Sequence, residues 1–223
     1  MRDKAPGLDF EAAFIEDGLF VIAGLDEAGR GAWAGPVSAG AVVLPLDNWD
    51  LAAELKDVRD SKLCTPRQRE ALYEQVVGAA RASGTAFASA EEIDELGIVP
   101  ATRLAMRRAL EKLDPRPQAL LIDGRYLRLR EVSLPQRSLT RGELHSLSIA
   151  AASILAKVTR DHLMIELDAQ YPEYGFAHHK GYGTPEHRAA LRELGLCPVH
   201  RRSFNPMRAT LLNEIPHEDR TGA

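Results

Sequence analysis

Two apolar runs in this chain each end in acid, and no other feature restricts the fold so strongly. Val21-Ile-Ala-Gly-Leu25 runs into Asp26-Glu27, and Ala119-Leu-Leu-Ile122 runs into Asp123. Short apolar runs closed by turn-forming residues read as buried strands. If the two strands lie parallel and adjacent in an open α/β sheet, their acids meet at the carboxyl edge, where ligands bind. Clustered carboxylates repel one another and lose hydration, so such a site calls for cations. Mg2+ and Mn2+ prefer carboxylate oxygens, and two ions roughly 3.5 to 4 Å apart can activate water and stabilise the leaving oxygen of a phosphodiester. A single strand-end aspartate more often meets only a turn or a helix cap; three acids together favour the metal reading. Neighbouring strand residues point to opposite faces. Asp26 and Glu27 therefore share a site only if the chain leaves the pleat there, as Ala28-Gly29-Arg30-Gly31 allows.

With these two included, strands are expected over residues 19–25, 36–44, 85–89, 118–122 and 136–139, alternating with helices. Glycines between the first two favour an antiparallel pair. The spacing Gly29-x-Gly31-x-x-x-Gly35 misses the dinucleotide-binding fingerprint and leads into a strand, which excludes a Rossmann site. Thr65-Pro66 with Gln68, and Ser89 with Glu92, mark capped helix starts. Residues 101–113 and 184–195 give further helices, and residues 146–169 the longest. The small Ala150-Ala-Ala152 lets that helix approach the sheet closely. The polar tail after about Met207 is expected to be mobile.

Length and composition fit one globular unit: 223 residues, 45% hydrophobic and 27% charged, with two isolated cysteines, Cys64 and Cys197, that read as reduced thiols. No apolar run is long enough to span a membrane and no signal core follows the N-terminus, so a cytoplasmic protein is expected. The net charge of −4 hides a polarised distribution: residues 1–60 sum to −7 and residues 101–141 to +6. Taken alone, the basic segment is more often a solvated face than a nucleic-acid contact.

The ordered motifs Asp26-Glu-Ala-Gly-Arg-Gly31, Ala34-Gly-Pro-Val37, Asp60-Ser-Lys62, Ile122-Asp-Gly124, the stretch 148–161 and His179-Lys-Gly-Tyr-Gly-Thr184 resemble the bacterial ribonuclease HII family. The resemblance runs from about residue 21 to residue 206. It implies a ribonuclease-H-like mixed sheet flanked by helices over residues 1–170, a small helical substrate-binding extension over 171–210, and a polar tail over 211–223. It also implies a metal-dependent endonuclease that hydrolyses RNA in RNA–DNA hybrids and nicks duplex DNA 5′ to embedded ribonucleotides. Mg2+ or Mn2+ is the implied cofactor, nucleic acid the partner, and a monomer without membrane association the expected state.

By motif position, Asp26, Glu27 and Asp123 match three of the family's four metal-binding acids. Gly29, Arg30 and Gly31 match the motif that reads the ribonucleotide 2′-hydroxyl, and Tyr182 matches the tyrosine that packs on the neighbouring deoxyribose. That pairing is chemically apt, since the 2′-hydroxyl is what separates RNA from DNA locally. Lys62 and Lys180 are expected phosphate contacts, while Lys157 is left open because helix burial explains it equally well. At the fourth acid the chain departs from the pattern: Gly142-Glu143 stands where Gly-Asp is usual. The extra methylene could disturb octahedral Mg2+ geometry and favour Mn2+; the alternative function is therefore a hybrid-binding protein of weakened chemistry. Ala32-Trp33 is a lesser departure, with Trp33 expected to pack beside the loop. His178, His179, His187, Cys197 and His200 include a Cys-x-x-His spacing, but structural zinc sites show paired motifs at two places, so zinc is disfavoured.

Overall fold

The computed structural model describes residues 6–58 and 64–211. Five strands form one mixed sheet: β1 (Ile22–Ala28), β2 (Val37–Val43), β3 (Ala82–Ala88), β4 (Ala119–Asp123) and β5 (Gln136–Leu139), in the order β3-β2-β1-β4-β5. As expected, β1 and β2 pair antiparallel and β1 and β4 pair parallel. The last β1–β4 pair is Leu25 with Ile122, so Asp26 and Asp123 come next, side by side.

The expected departure from the pleat does not occur. Pairing with β2 carries β1 on in regular register through Asp26, Glu27 and Ala28. The acids lie past the ladder only on the β4 side, where Asp123 ends its strand and Gly124 turns away at φ +93°. That open flank gives Glu27 room to reach the same edge as Asp26. The turn freedom sits after β4, not within β1.

Helices cover both faces. On one, α4 (Ala90–Leu96) and α5 (Ile98–Leu110) pack their apolar sides on Ala23, Leu25, Ala39, Ala41 and Ile122. On the other, α6 (Leu147–Gln170) crosses the middle of the sheet with its backbone nearly touching it. A Cβ at Gly24 would lie 2.2 Å from the Ser148 carbonyl, and one at Gly40 would lie 2.3 Å from the Ala152 oxygen. Ser148, Ala152 and Ala156, spaced by four, form the stripe that permits this approach. Asp26 shares the pleat face of Gly24 and so points at α6.

Local signals hold at the caps. Past the short α2 (Leu51–Glu54), Thr65 and Ser89 form complete capping boxes at α3 (Pro66–Ala79) and α4. Boundaries differ where tertiary contacts override propensity. Helix α5 starts at Ile98, not 101, because Gly97 at φ +83° lets it follow α4 directly and Pro100 is tolerated in a first turn. Strand β3 starts at Ala82, not 85. Its Ser83-Gly84 pair, turn-like in sequence, is held by β2, and α5 passes so near that a Cβ at Gly84 would meet the Ala109 oxygen at 2.6 Å.

Helix α1 (Asp9–Glu16) was not foreseen; it places the fully buried Glu11 against the start of α6, where Ser146 Oγ and Ser148 N donate to its Oε1 at 2.7 and 3.0 Å. After α6 the chain folds into α7 (Phe176–His179), α8 (Pro185–Leu194) and α9 (Asn205–Leu211), around a separate cluster that includes Phe176, Leu191, Cys197 and Met207. Helix α9 thus carries regular structure through Leu211, past Met207, where the polar tail was expected to begin. Among the described residues no helix is long and apolar enough to cross a membrane.

Candidate active site

Each of the three acids Asp26, Glu27 and Asp123 offers a carboxylate oxygen within 4.8 Å of the others, and they are the one such metal-competent group among the described residues. Asp26 is buried, 5% exposed. Burial first, then the charges of Glu27 and Asp123, push its carboxyl well above the usual range, against hydrogen bonds from the Glu27 amide and the Ser153 hydroxyl. The Glu27 N–H donates to Asp26 Oδ1 at 2.7 Å. Asp123 Oδ1 accepts from Gly142 N at 2.7 Å, and Glu27 Oε1 pairs with the Arg30 guanidinium at 3.0 Å. The site thus gathers negative charge that its own hydrogen bonds only partly offset. An all-carboxylate donor set in this state fits a hard divalent cation.

Glu143 lies in the short 3-10 turn Gly142–Leu144, 6% exposed, one residue beyond the amide that holds Asp123. It is beside the cluster but not within the group of three. Arg141, at φ +55°, turns the chain so that Gly142 faces Asp123; a Cβ on Gly142 would meet Ile149 Cδ1 at 2.6 Å.

The Gly29-Arg30-Gly31 loop follows directly. Gly29, at φ +91°, packs so tightly that a Cβ would fall 1.9 Å from Arg160 Nε. Gly31 is exposed, with open space where its Cβ would be. Against this loop lies the turn carrying Lys180 and Tyr182: Trp33 N and Ala34 N both donate to Gly181 O, at 2.7 and 3.2 Å. Tyr182, 38% exposed, has its ring 5.6 Å from the Arg160 guanidinium carbon. The Lys180 ammonium bonds the Ala177 carbonyl of its own turn. Lys62 lies outside the described residues. Lys157 is held by Asp161 at 2.6 Å, which Arg69 also pairs at 3.3 Å, in the wall of a groove of about 350 Å³.

Trp33 packs as expected, against the Arg188 guanidinium at 4.8 Å and the His187 ring at 5.7 Å. The histidines form a hydrogen-bonded chain. Cys197 N donates to His200 Nδ1 at 3.0 Å, His200 Nε2 meets His187 Nε2 at 3.0 Å, and His187 Nδ1 reaches Tyr182 O at 3.0 Å. One tautomer set satisfies all three bonds: His200 protonated on Nε2 and His187 on Nδ1, both rings neutral. Burial pushes each imidazole down to about 4. These bonds tie the turn at residues 197–200 to the backbone of Tyr182.

Sequence reading missed the two residues that organise this region. Arg160 and Arg201 are buried, 1% and 0% exposed, and each spends its guanidinium on three backbone carbonyls. Arg160 donates to Ala34, Pro36 and Lys180, and Arg201 to Gly29, Arg30 and Gly35. No local signal marked either: Arg160 sits in α6 among Lys157, Asp161 and His162, and Arg201 stands between His200 and Arg202, so each reads as one more surface charge.

The family model for ribonuclease HII matches residues 23–207, spanning the sheet, the acids, the loop and the helices that follow α6. The chain belongs to the ribonuclease HII family. It is 51% identical over 202 residues to the ribonuclease HII of Geobacillus kaustophilus, covering 91% of this chain and 75% of that one. Against the ribonuclease HII of Chloroflexus aggregans it is 52% identical over 203 residues, covering 91% and 95%. The ribonuclease H2 crystal structure from Pyrococcus horikoshii superposes with a TM-score of 0.75 at 27% identity, covering 86% of this chain and 98% of that one. The Archaeoglobus fulgidus ribonuclease HII, solved in complex with PCNA, gives 0.69 at 25% identity over 81% and 93%. Ribonuclease HII membership makes the protein a metal-dependent endoribonuclease, a hydrolase with ribonuclease H activity. The carboxylate group at the sheet edge is the place in this chain where a divalent ion fits.

Proposed function

We propose that this ribonuclease HII hydrolyses the RNA strand of RNA–DNA hybrids and nicks duplex DNA on the 5′ side of embedded ribonucleotides, leaving 3′-hydroxyl and 5′-phosphate ends. One observation carries the reading: Glu27 belongs to the acidic group and also pairs with Arg30 of the Gly-Arg-Gly loop, so the cutting site and the reading loop share a contact. Asp26, Glu27 and Asp123 would hold two Mg2+ or Mn2+ ions, with Glu143 contributing from the adjacent turn. When bound, such ions supply an activated water and neutralise charge on the leaving oxygen.

The chain's own residues do the rest. Gly31 leaves the backbone open for a sugar to approach, and the amides of the loop are the donors that a 2′-hydroxyl can meet. Tyr182, partly exposed on the adjoining turn, offers a ring to the next sugar, where a 2′-hydroxyl would not fit. Lys180 and Lys62, which match the family motifs, would contact the phosphates, with residues 171–210 as the substrate-binding extension and the protein acting as a monomer. No feature of the site favours a hybrid binder of weakened chemistry.

The test is a duplex DNA bearing one ribonucleotide, incubated with Mg2+ and with Mn2+ separately. Metal-dependent nicking 5′ to the ribonucleotide is expected. Binding without nicking, or cleavage of all-DNA duplex, would overturn the proposal. Equal or better Mg2+-dependent turnover in wild type than in Glu143→Asp would show that the longer acid is no handicap.

A further inference from the structure

We propose that Arg201 is the positioning residue that makes the Gly29-Arg30-Gly31 loop a reader of ribonucleotides. The proposal rests on the functional reading above and adds a specificity role for a side chain outside the motifs.

Arg201 is 0% exposed, and among the described residues no carboxylate lies within ion-pair distance. A buried cation without a counter-ion is costly, and its retention calls for a compensating role. Its donors go to the loop itself: Nη2 to Gly29 O at 2.7 Å, Nη1 to Arg30 O at 2.8 Å and Nε to Gly35 O at 2.9 Å. In a trans peptide the carbonyl of one residue and the N–H of the next point in opposite directions. Drawing the carbonyls of Gly29 and Arg30 inward therefore turns the N–H groups of Arg30 and Gly31 outward, toward the exposed side of the loop. Two successive amides facing one way make a concave donor site for a hydroxyl or an anion. A planar fork can hold several carbonyls in fixed relative orientation; an ammonium on a flexible stem cannot.

The geometry extends to the second reading element. Arg160 links Ala34 and Pro36 with Lys180, the residue two before Tyr182, and Arg201 N donates to Trp33 O at 2.9 Å. Loop and tyrosine are thus one unit. Asp94 of α4 fixes the segment from outside, accepting from Arg202 N at 2.8 Å and Ser203 N at 2.9 Å.

The experiment is steady-state kinetics of Arg201→Lys on three duplexes, carrying one ribonucleotide, a full RNA strand, or DNA alone, with melting followed with and without Mn2+. The expected result is a folded protein whose Mn2+-induced stabilisation matches wild type, because the acids are untouched. Its KM for the single-ribonucleotide duplex should rise about tenfold or more while kcat falls less, and millimolar guanidinium should restore binding in Arg201→Ala. Asp94→Ala, altered at the surface, should raise KM about two- to fivefold at unchanged kcat, and it keeps the proposal testable if both Arg201 variants misfold. The proposal is overturned if KM stays within twofold of wild type in a folded Arg201→Lys, or in Asp94→Ala where neither Arg201 variant folds. It is also overturned if kcat and the Mn2+ shift collapse together on every substrate, which is what general loosening would give. A wild type that does not nick at the ribonucleotide overturns the functional reading and this proposal with it; a wild type that nicks beside unchanged variants overturns this proposal alone.

Discussion

Replacing Asp26 with Asn should make the metal-free protein more stable while abolishing its activity. Asp26 has its carboxylate within 4.8 Å of those of Glu27 and Asp123. At an effective dielectric constant of about 20, two unit charges at that separation repel by about 3.5 kcal/mol. Removing one charge relieves two such pairs, about 7 kcal/mol before any offset. Three effects reduce it. Arg30 already screens Glu27 at 3.0 Å, Asp26 avoids part of the repulsion by holding a proton more tightly than a free carboxylate, and Asn accepts weaker hydrogen bonds from the Glu27 amide and Ser153 than a carboxylate does. A net gain of about 2 kcal/mol remains, or roughly 4–8 °C in Tm for a chain of this size.

Urea denaturation with a chelator at pH 8 reads the gain directly. Adding Mn2+ should reverse the ranking: wild type gains about 1.4 to 2.7 kcal/mol at roughly ten to a hundred times the ion's Kd, and Asp26→Asn gains little. Nicking should fall by about a thousandfold or more. A variant less stable than wild type in chelator, or one with an undiminished Mn2+ shift, would refute the argument that these acids are held in mutual repulsion for the sake of a cation.

Other outcomes follow from the same contacts. Gly29→Ala forces a Cβ to within 1.9 Å of Arg160 Nε at a backbone φ of +91°, and should cost about 2–4 kcal/mol with a raised KM, read by melting and kinetics together. His187 and His200 titrate near 4 when folded but near 6.5 when unfolded, so the unfolded chain binds more protons between these values. Stability should therefore hold above about pH 6.5 and fall as pH drops toward 4, by up to about 2 kcal/mol per imidazole at pH 5, and His187→Gln with His200→Gln should flatten that slope in a series of melts across pH. Ser89→Ala removes a side-chain cap and half of a capping box and should lower unfolding free energy by about 1 kcal/mol with nicking unchanged.

Much of the site could be read from residue order because it depends on local chemistry. Apolar runs closed by acids gave β1, β4 and the meeting of Asp26 with Asp123, and hydroxyl caps gave the starts of α3 and α4. The pleat at Asp26-Glu27 could not be read, because whether a strand continues is decided by its neighbours: β2 carries β1 onward while β4 stops. The limits of β3 and α5 were likewise settled by packing partners, and Glu11 found its place only through α1 meeting α6.

What the sequence determined by itself was the chemistry: which acids, which loop and which family, since these reside in side-chain types at short spacing. What only the tertiary structure decided was orientation. Arg160 and Arg201 lie 41 positions apart in the chain and meet their carbonyl partners across up to 172, so no local pattern could announce them. A guanidinium bonds whatever backbone the fold brings to it, and the direction in which a loop presents its amides depends on that meeting, not on the loop's own letters.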